Sequence, residues 1–459
     1  MNIQLNNRPI LREFSTSTGQ HPGNNLLLCR TIAQDADAVA EFNSRIHSDE
    51  GFDKPDLRVA AWTRDLIAKP HPTFHADDCT LVVEAESGKI VSSMNMISQT
   101  WAYEGISFGV GRPELVGTLP EYRNRGLVRA QFEEVHRWSA ARGELVQGIT
   151  GIPYYYKLFG YDMALDLGGG RTGFEAQLPK LKDGESEPFT VRAATEADIP
   201  FLMDVYAHAC KRHLITCVRD AAQWRYDLTG QSEKNVDRLE YCILERAGTG
   251  EPVGYFTHPF FTWDTGLIVN HYELKPGVSW LEVSPVVARS LWQTGEIIWK
   301  QEGKPGVRTT YSFWLGTEHP SYDIFREKLP RIRDPYAWFI RVPDLPKFIL
   351  HIAPALERHI AESPIVGYTG QVQVSFYRTG LKLAFERGKL TVAEPWQPQP
   401  GDGGQAAFPD LTFLQLVFGY RSFEQLEQSY ADCWYTSDEV RVLLNTLFPR
   451  KASSVMFVN

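Results

Sequence analysis

The residues best suited to chemistry crowd into one part of the chain. Glu114-Leu-Val116-Gly-Thr118 reads as a strand that runs into the loop Leu119-Pro-Glu-Tyr-Arg123-Asn124-Arg125-Gly126, and Phe132, Val135 and Trp138 mark the apolar face of a helix that follows. A loop that opens a helix presents N–H groups with no partner inside the helix, at the positive end of the macrodipole. A pyrophosphate can be bound there largely by main chain. Gly126 lets the backbone approach closely, and Arg123 and Arg125 add positive charge.

The strand before the loop offers Val116 and Thr118 as alternate residues, whose edge N–H and C=O groups could hold a pantetheine arm and hydrogen-bond a thioester carbonyl. A donor aimed at a developing oxyanion is where acyl transfer gains most. Residues 145–149 read as the next strand, and Pro153-Tyr-Tyr-Tyr156-Lys-Leu-Phe-Gly160-Tyr161 follows as an aromatic turn.

The elements that must position these residues belong to an α/β unit. Residues 26–30 read as a strand, and Val39, Phe42 and Ile46 recur at helical spacing behind an acidic start. The pattern restarts later: residues 189–192 precede Thr195-Glu-Ala-Asp198, and Ile199, Leu202, Val205 and Tyr206 recur at helical intervals. The hairpin signal at residues 81–91, with its Ser87-Gly88 turn, is echoed at 243–253 with Thr249-Gly250. These echoes predict an internal duplication. The last part differs: Val372, Val374 and Phe376 alternate, as do Leu381, Leu383 and Phe385, and helical patterns follow at 411–418 and 440–447. That is an α+β unit built on an antiparallel meander.

Bulk properties bound the function. A chain of 459 residues predicts two to four domains, and a net charge of −9 without a basic stripe argues against a nucleic-acid partner. No run approaches the ~18–20 apolar residues of a membrane span, and the polar residues 1–25 hold no secretory h-region. The six cysteines lack disulfide-framework spacing. A cytoplasmic protein with reduced core thiols is expected.

Arg123-x-x-Gly126-x-Val128 resembles the acetyl-CoA signature of the GNAT acetyltransferases: Arg or Gln, two residues, Gly, one residue, then Gly or Ala, from which Val128 departs. The whole loop, Pro-x-Tyr-Arg-x-Arg-Gly-Leu-Val-Arg, is similar to that of the enhanced-intracellular-survival (Eis) branch, and Tyr156-x-x-x-Gly160-Tyr161 resembles the family's tyrosine motif. The resemblance implies an α/β (α+β) chain of tandem GNAT domains followed by a sterol-carrier-like α+β domain. The expected division is a polar leader at 1–24, a catalytic domain at 25–175, a degenerate GNAT-like domain at 176–345 and the sterol-carrier-like domain at 346–459. It further implies acetyl-CoA bound by Val116, Thr118, Arg123, Asn124, Arg125, Gly126, Leu127 and Val128. Tyr156 would protonate the departing thiolate, suited to this by a phenol that keeps its proton at neutral pH. The terminal carboxylate, here of Asn459, would be the general base, although this chain runs two residues past the aromatic position at which that family ends. Asp49, Glu50 and Trp62 fall in the segment that borders the family's acceptor pocket, where carboxylate and aromatic can hold an ammonium. A homo-oligomer such as a hexamer is also implied.

Other readings carry less. Tyr154, Tyr155 and Tyr161 are expected to pack or line the pocket. Cys210, His213 and Cys217 share a helical face but lack a fourth ligand, so no metal is expected. Gly168-Gly169-Gly170 has no following helix start and fails as a dinucleotide loop. The second domain holds no Arg-x-x-Gly-x-Gly element around 278–293 and is expected to form a channel wall or an oligomer contact. The expected activity is transfer of acetyl from acetyl-CoA to a primary amine: an aminoglycoside-like molecule, a polyamine or a lysine-bearing peptide. A non-catalytic protein that binds acyl-CoA or an apolar ligand is the alternative.

Overall fold

The computed structural model describes residues 1–5, 8–15, 25–152 and 154–455. The first part of the chain supplies strands β1 (Ile10–Ser15), β2 (Asn25–Arg30), β3 (Cys79–Glu84), β4 (Ile90–Tyr103), β5 (Ile106–Thr118), β6 (Val146–Ile149), β7 (Asp162–Leu167) and β8 (Gly170–Phe174), with helices α1 (Ala36–Ile46), α2 (Leu57–Ala68) and α3 (Leu127–Ala141). The middle supplies β9 (Phe189–Ala193), β10 (Ile215–Cys217), β11 (Leu239–Arg246), β12 (Pro252–Pro259), β13 (Gly266–Val269), β14 (His271–Leu274), β15 (Thr310–Phe313), β16 (Arg331–Arg333) and β17 (Tyr336–Arg341). The meander β18 (Gly370–Ser375), β19 (Gly380–Glu386) and β20 (Lys389–Trp396) lies in the last part.

Local chemistry explains the elements around the site. Asp56 caps α2 by accepting from the Arg58 N–H, and α2 buries Val59, Trp62, Leu66 and Ile67 at helical spacing. Along β4, Ile97 faces the α1–α2 core, while Met94 and Met96 face α3 on the other side of the sheet. The described residues of the polar leader are drawn into this sheet. β1 pairs antiparallel with β2, the Met1 carbonyl accepts from the Ile90 N–H at 3.0 Å, and Arg8 grips the Asp35 carboxylate with both terminal nitrogens at 2.5 Å. A run such as Ile10-Leu-Arg-Glu-Phe14 lacks clean alternation, which is why periodicity alone misses this strand.

The sheets exchange strands across the expected boundary between the first and second parts. The first sheet runs β1-β2-β3-β4-β5-β6-β17-β7, with β10 added to the end of β4. β8, from the end of the first part, lies instead between β15 and β16 in a sheet of the second part. β17 returns from the end of the second part and fills the gap between β6 and β7. The remaining sheets are β14-β12-β11-β9 and a five-stranded C-terminal sheet, β20-β19-β18 continued by two short strands.

Buried polar links tie the parts together. Asp65 on α2 is sealed from solvent and accepts hydrogen bonds from the Ser232 N–H (2.7 Å), the Ser232 hydroxyl (2.6 Å) and Asn235 Nδ2 (2.8 Å), all in the second part. Burial alone would raise its pKa, but bonds from Lys69, Ser232 and Asn235 outweigh it and hold the carboxyl below its ordinary range. A buried carboxylate costs several kcal/mol unless so satisfied, so the 231–237 segment is anchored against α2. The C-terminal part shares a core with the first sheet: Trp101, Tyr103, Phe108 and Val110 pack in one cluster with Phe348, Val374, Leu381 and Phe418. At its edge Glu104 accepts from His359 (2.9 Å) and Lys451 (2.7 Å), chiefly the His359 bond lowering its pKa to about 2.

Among the described residues no helix is long and apolar enough to cross a membrane, and no group of His, Cys, Asp or Glu is placed to hold a metal ion.

Candidate active site

The site begins where β5 and β6 part. These parallel strands pair only at Val110–Val146 and Gly111–Gln147. Farther along β5, the register with β4 slips: Asn95 pairs with Glu114 but Ser93 pairs with Gly117, so β5 carries one extra residue. That bulge sits at Leu115, which adopts φ +50° and turns its side chain into the α1–α2 core. Beyond the bulge the Leu119 N–H donates to the Val91 carbonyl at 2.9 Å, so by alternation the main-chain groups of Val116 and Thr118 face away from β4, toward the opening.

The loop after β5 closes one end of this opening. A short turn at Pro120–Tyr122 and the left-handed Asn124 (φ +60°) deliver the chain to Gly126, the N-cap of α3, at φ +75°. Glycine takes that conformation without strain, and a Cβ there would meet only open space. No side chain caps α3, so its first N–H groups have no acceptor from that source. Arg125 stacks over Tyr122 at 4.8 Å, Arg123 donates to the Thr118 carbonyl at 3.4 Å, and Arg129 lies 5.3 Å from the Phe159 ring centre. Among the described residues none of these three guanidiniums is paired with a carboxylate, which leaves their charge available to an anion at the helix mouth.

A cavity of about 510 Å³ joins these parts, lined by His47, Val116, Thr118, Gly126, Tyr156 and Phe159 among others. Tyr156 sits in a turn of 3₁₀ helix, Tyr155–Phe159, held between two left-handed residues, Tyr154 (φ +62°) and Gly160 (φ +85°). Its ring is buried edge-on to Phe132 at 6.0 Å and Phe339 at 5.6 Å. Burial first, then the nearby Glu114 charge, pushes the phenol well above its ordinary pKa, so it keeps its proton. Tyr155 also lines the cavity, while Tyr161 is fully buried against His136, with Oη 2.7 Å from Nε2.

The first-sheet cavity gathers Val116, Thr118, Arg123, Asn124, Arg125, Gly126, Leu127, Val128 and Tyr156. It does not gather the remainder of the expected site. Asp49 and Glu50 are exposed, Glu50 pairing with Lys54 at 3.2 Å, and Trp62 is buried in the α1–α2 core. Asn459 lies outside the described residues.

Three residues enter that the spacing of motifs did not single out. His47 follows the last residue of α1, with a buried Nε2 that has no hydrogen-bond partner, and burial lowers its pKa. Glu114 precedes the bulge on β5, paired with Arg112, whose guanidinium stacks 4.4 Å from the Trp338 ring centre. Burial raises the Glu114 pKa against the lowering effect of Arg112. Asn95 is the cross-strand neighbour of Glu114, so both side chains share a face. A charged residue just ahead of Val116 was the available signal for Glu114; the bulge that aims it depends on the register with β4.

Residues 47–164, the stretch that holds the bulge, the α3 N-terminus and Tyr156, match the family described as acetyltransferase (GNAT) domain. The chain contains a GNAT acetyltransferase domain. The whole chain is similar in fold to a GCN5-related N-acetyltransferase from Kribbella flavida (18% identity, 94% of this chain and 97% of that one, TM-score 0.60). It is also similar to a probable N-acyltransferase from Enterococcus faecalis V583 (15% identity, 94% and 97%, TM-score 0.59) and to Eis1 from Mycobacterium abscessus (12% identity, 95% and 100%, TM-score 0.54). At these identities the likeness is one of fold, a mixed α/β architecture with tandem GNAT units. No curated protein sequence matches the chain.

Proposed function

We propose that this protein is an N-acetyltransferase that moves an acetyl group from acetyl-CoA to a primary amine within a ternary complex. The single observation that carries the reading is the shared cavity: the free edge of β5 at Val116 and Thr118, the uncapped N-terminus of α3 at Gly126 and the protonated phenol of Tyr156 line one space of about 510 Å³. Acetyl-CoA would lay its pyrophosphate on the N–H groups after Gly126, beside Arg123, Arg125 and Arg129, and its pantetheine arm along Val116 and Thr118.

The chemistry balances as follows. An ammonium gives one proton to a carboxylate base and becomes a neutral amine, which attacks the thioester carbon. A main-chain N–H of the bulged strand stabilises the oxyanion. The C–N bond forms, the C–S bond breaks, and the Tyr156 O–H supplies the proton that the CoA sulfur takes up. The proton left on the new amide nitrogen restores the phenol. For the base we propose the α-carboxylate of Asn459. What supports this is direction: Ser454 bridges in parallel to Thr216 of β10, and β10 runs antiparallel along β4 from Tyr103 toward Trp101, so the chain through Val455 heads along β4 toward Gln99 and Asn95. A chain extended past Asn459 that turned over at the unextended rate would remove this assignment.

Thiol release measured over a panel of kanamycin, spermidine and a lysine-bearing peptide, paired with calorimetry of acetyl-CoA, tests the function. Micromolar acetyl-CoA binding with amine-dependent release is the expected result; binding with no release on any amine would sink it. A reducing compartment such as the cytoplasm fits six cysteines that form no disulfide, five of them buried. A homo-oligomer remains part of the proposal.

A second reading, an apolar-ligand carrier, is favoured by one feature. A cavity of about 850 Å³ in the C-terminal part is lined by Leu345, Phe376, Leu381, Leu411 and Phe413. Its rim carries Arg378, Asp410 and Asp432. Saturable uptake of a fluorescent fatty acid without any thiol release would favour this reading over the enzyme.

A further inference from the structure

We infer that the second GNAT-like unit completes the acceptor site, with Asp237 as the carboxylate that receives the cationic amine. The inference rests on the acetyltransferase reading and adds to it a named contact and a job for the unit that has no phosphate loop of its own.

The placement comes from the anchored 231–237 segment. Ser232 and Asn235 fix it to Asp65 on α2, and Asn235 Oδ1 in turn accepts from the Asp237 N–H at 2.9 Å, which sets the course of the next residue. Val236 packs on the core that holds Leu115, the bulge residue of β5. Asp237 comes within electrostatic reach of Glu114 and Arg112 on β5 and of the Tyr226 phenol. Glu114 in turn influences Tyr156. Glu114 thus interacts electrostatically with both the second-unit carboxylate and the Tyr156 phenol.

The polar groups here are arranged for a guest with hydrogen-bond donors. Asp237 Oδ2 is buried and has no hydrogen-bond partner. Asn95, 4% exposed and on the Glu114 face, also holds a buried Oδ1 without a partner. Buried acceptors are rarely left in this state. The Arg112 guanidinium is paired with Glu114, and among the described residues no cation is paired with Asp237. Asp237 and Glu114 both lie within electrostatic reach of the Arg112 guanidinium. A primary ammonium supplies what is missing: one positive charge and three N–H donors, matched by Asp237 Oδ2, the Glu114 carboxylate and Asn95 Oδ1. Burial, with the Glu114 charge next and Arg112 opposing, raises the Asp237 pKa to about 7, so the carboxylate becomes neutral below that pH and loses its hold on the cation. No bond is made or broken at Asp237; it binds, and the proton leaves the amine for the base.

The test is steady-state kinetics on the full chain with the best amine of the panel, comparing wild type with Asp237→Asn, and with Asn95→Ala as a second variant. For Asp237→Asn the KM for the amine should rise about 30-fold while kcat stays within about threefold and acetyl-CoA affinity is unchanged. In wild type that KM should rise as pH falls below 7, and in Asp237→Asn it should lose this dependence. Asn95→Ala should raise the same KM by several-fold. An Asp237→Asn enzyme with an unaltered amine KM and pH profile overturns the inference alone, and so does one that has lost acetyl-CoA binding, since the residue would then be holding the fold. A wild type that neither binds acetyl-CoA nor releases thiol removes the parent reading and this one with it.

Discussion

Replacing Tyr156 with Phe lowers kcat by about 10²–10⁴-fold while acetyl-CoA binds as before. The substitution removes one oxygen and leaves the ring that Phe132, Phe339 and Tyr155 pack against, so no cavity opens in the surrounding cluster. What is lost is the proton that lets the CoA sulfur depart as a thiol. The sign of the pH dependence follows from the environment. Because burial and the Glu114 charge raise the phenol's pKa above its ordinary value of about 10, the acid is loaded throughout the neutral range, and any basic limb it causes lies above pH 10. Rapid-quench measurement of the acyl-transfer step in wild type and Tyr156→Phe checks this directly. A variant with undiminished single-turnover rate would leave Tyr156 as a packing residue.

The second large effect is expected at Gly126. Gly126→Asp weakens acetyl-CoA binding by about two orders of magnitude or more, because a carboxylate would occupy the place where the pyrophosphate charge is held. The fold itself should tolerate the change. Aspartate is a favoured N-cap that can accept from the free N–H groups of the first turn, and a Cβ at this position meets nothing within 4 Å. The cost is the left-handed φ of +75°, about 1–2 kcal/mol. Calorimetry of acetyl-CoA beside a thermal melt separates the two contributions. Near-normal affinity in a folded Gly126→Asp protein would mean that the phosphates are held elsewhere.

The sequence made the loop and helix mouth that line the cavity legible because their information is local. Arg123, Gly126 and α3 follow one another in the chain, and a helix mouth needs no distant partner to be recognised. Tyr156 was legible for the same reason, through its spacing from Gly160. The tandem α/β pattern was also readable, since the strand, helix and hairpin periodicities of residues 26–91 recur at 189–253. The proposed acceptor side is different. The bulge at Leu115 exists only once β4 and β5 are in register, and the electrostatic coupling of Glu114 with Asp237 links residues more than a hundred positions apart. Trp62, expected by resemblance to border an acceptor pocket, lies at helical spacing with Val59 and Leu66 and packs into the α1–α2 core. Cys217 lies in β10, the strand that extends β4, and Cys210 at the end of its helix, so the two do not share one helical face.

The exchange of β8 and β17 limits how this protein can be taken apart. A fragment stopped at residue 175 would keep β8 but none of the strands it pairs with, and would leave β6 and β7 without the ribbon that joins them. Exposed edges of that kind invite aggregation. Recombination that moved the first part alone into another gene would therefore carry off an unfinished sheet, and the first and second parts are expected to be inherited, expressed and lost as one piece.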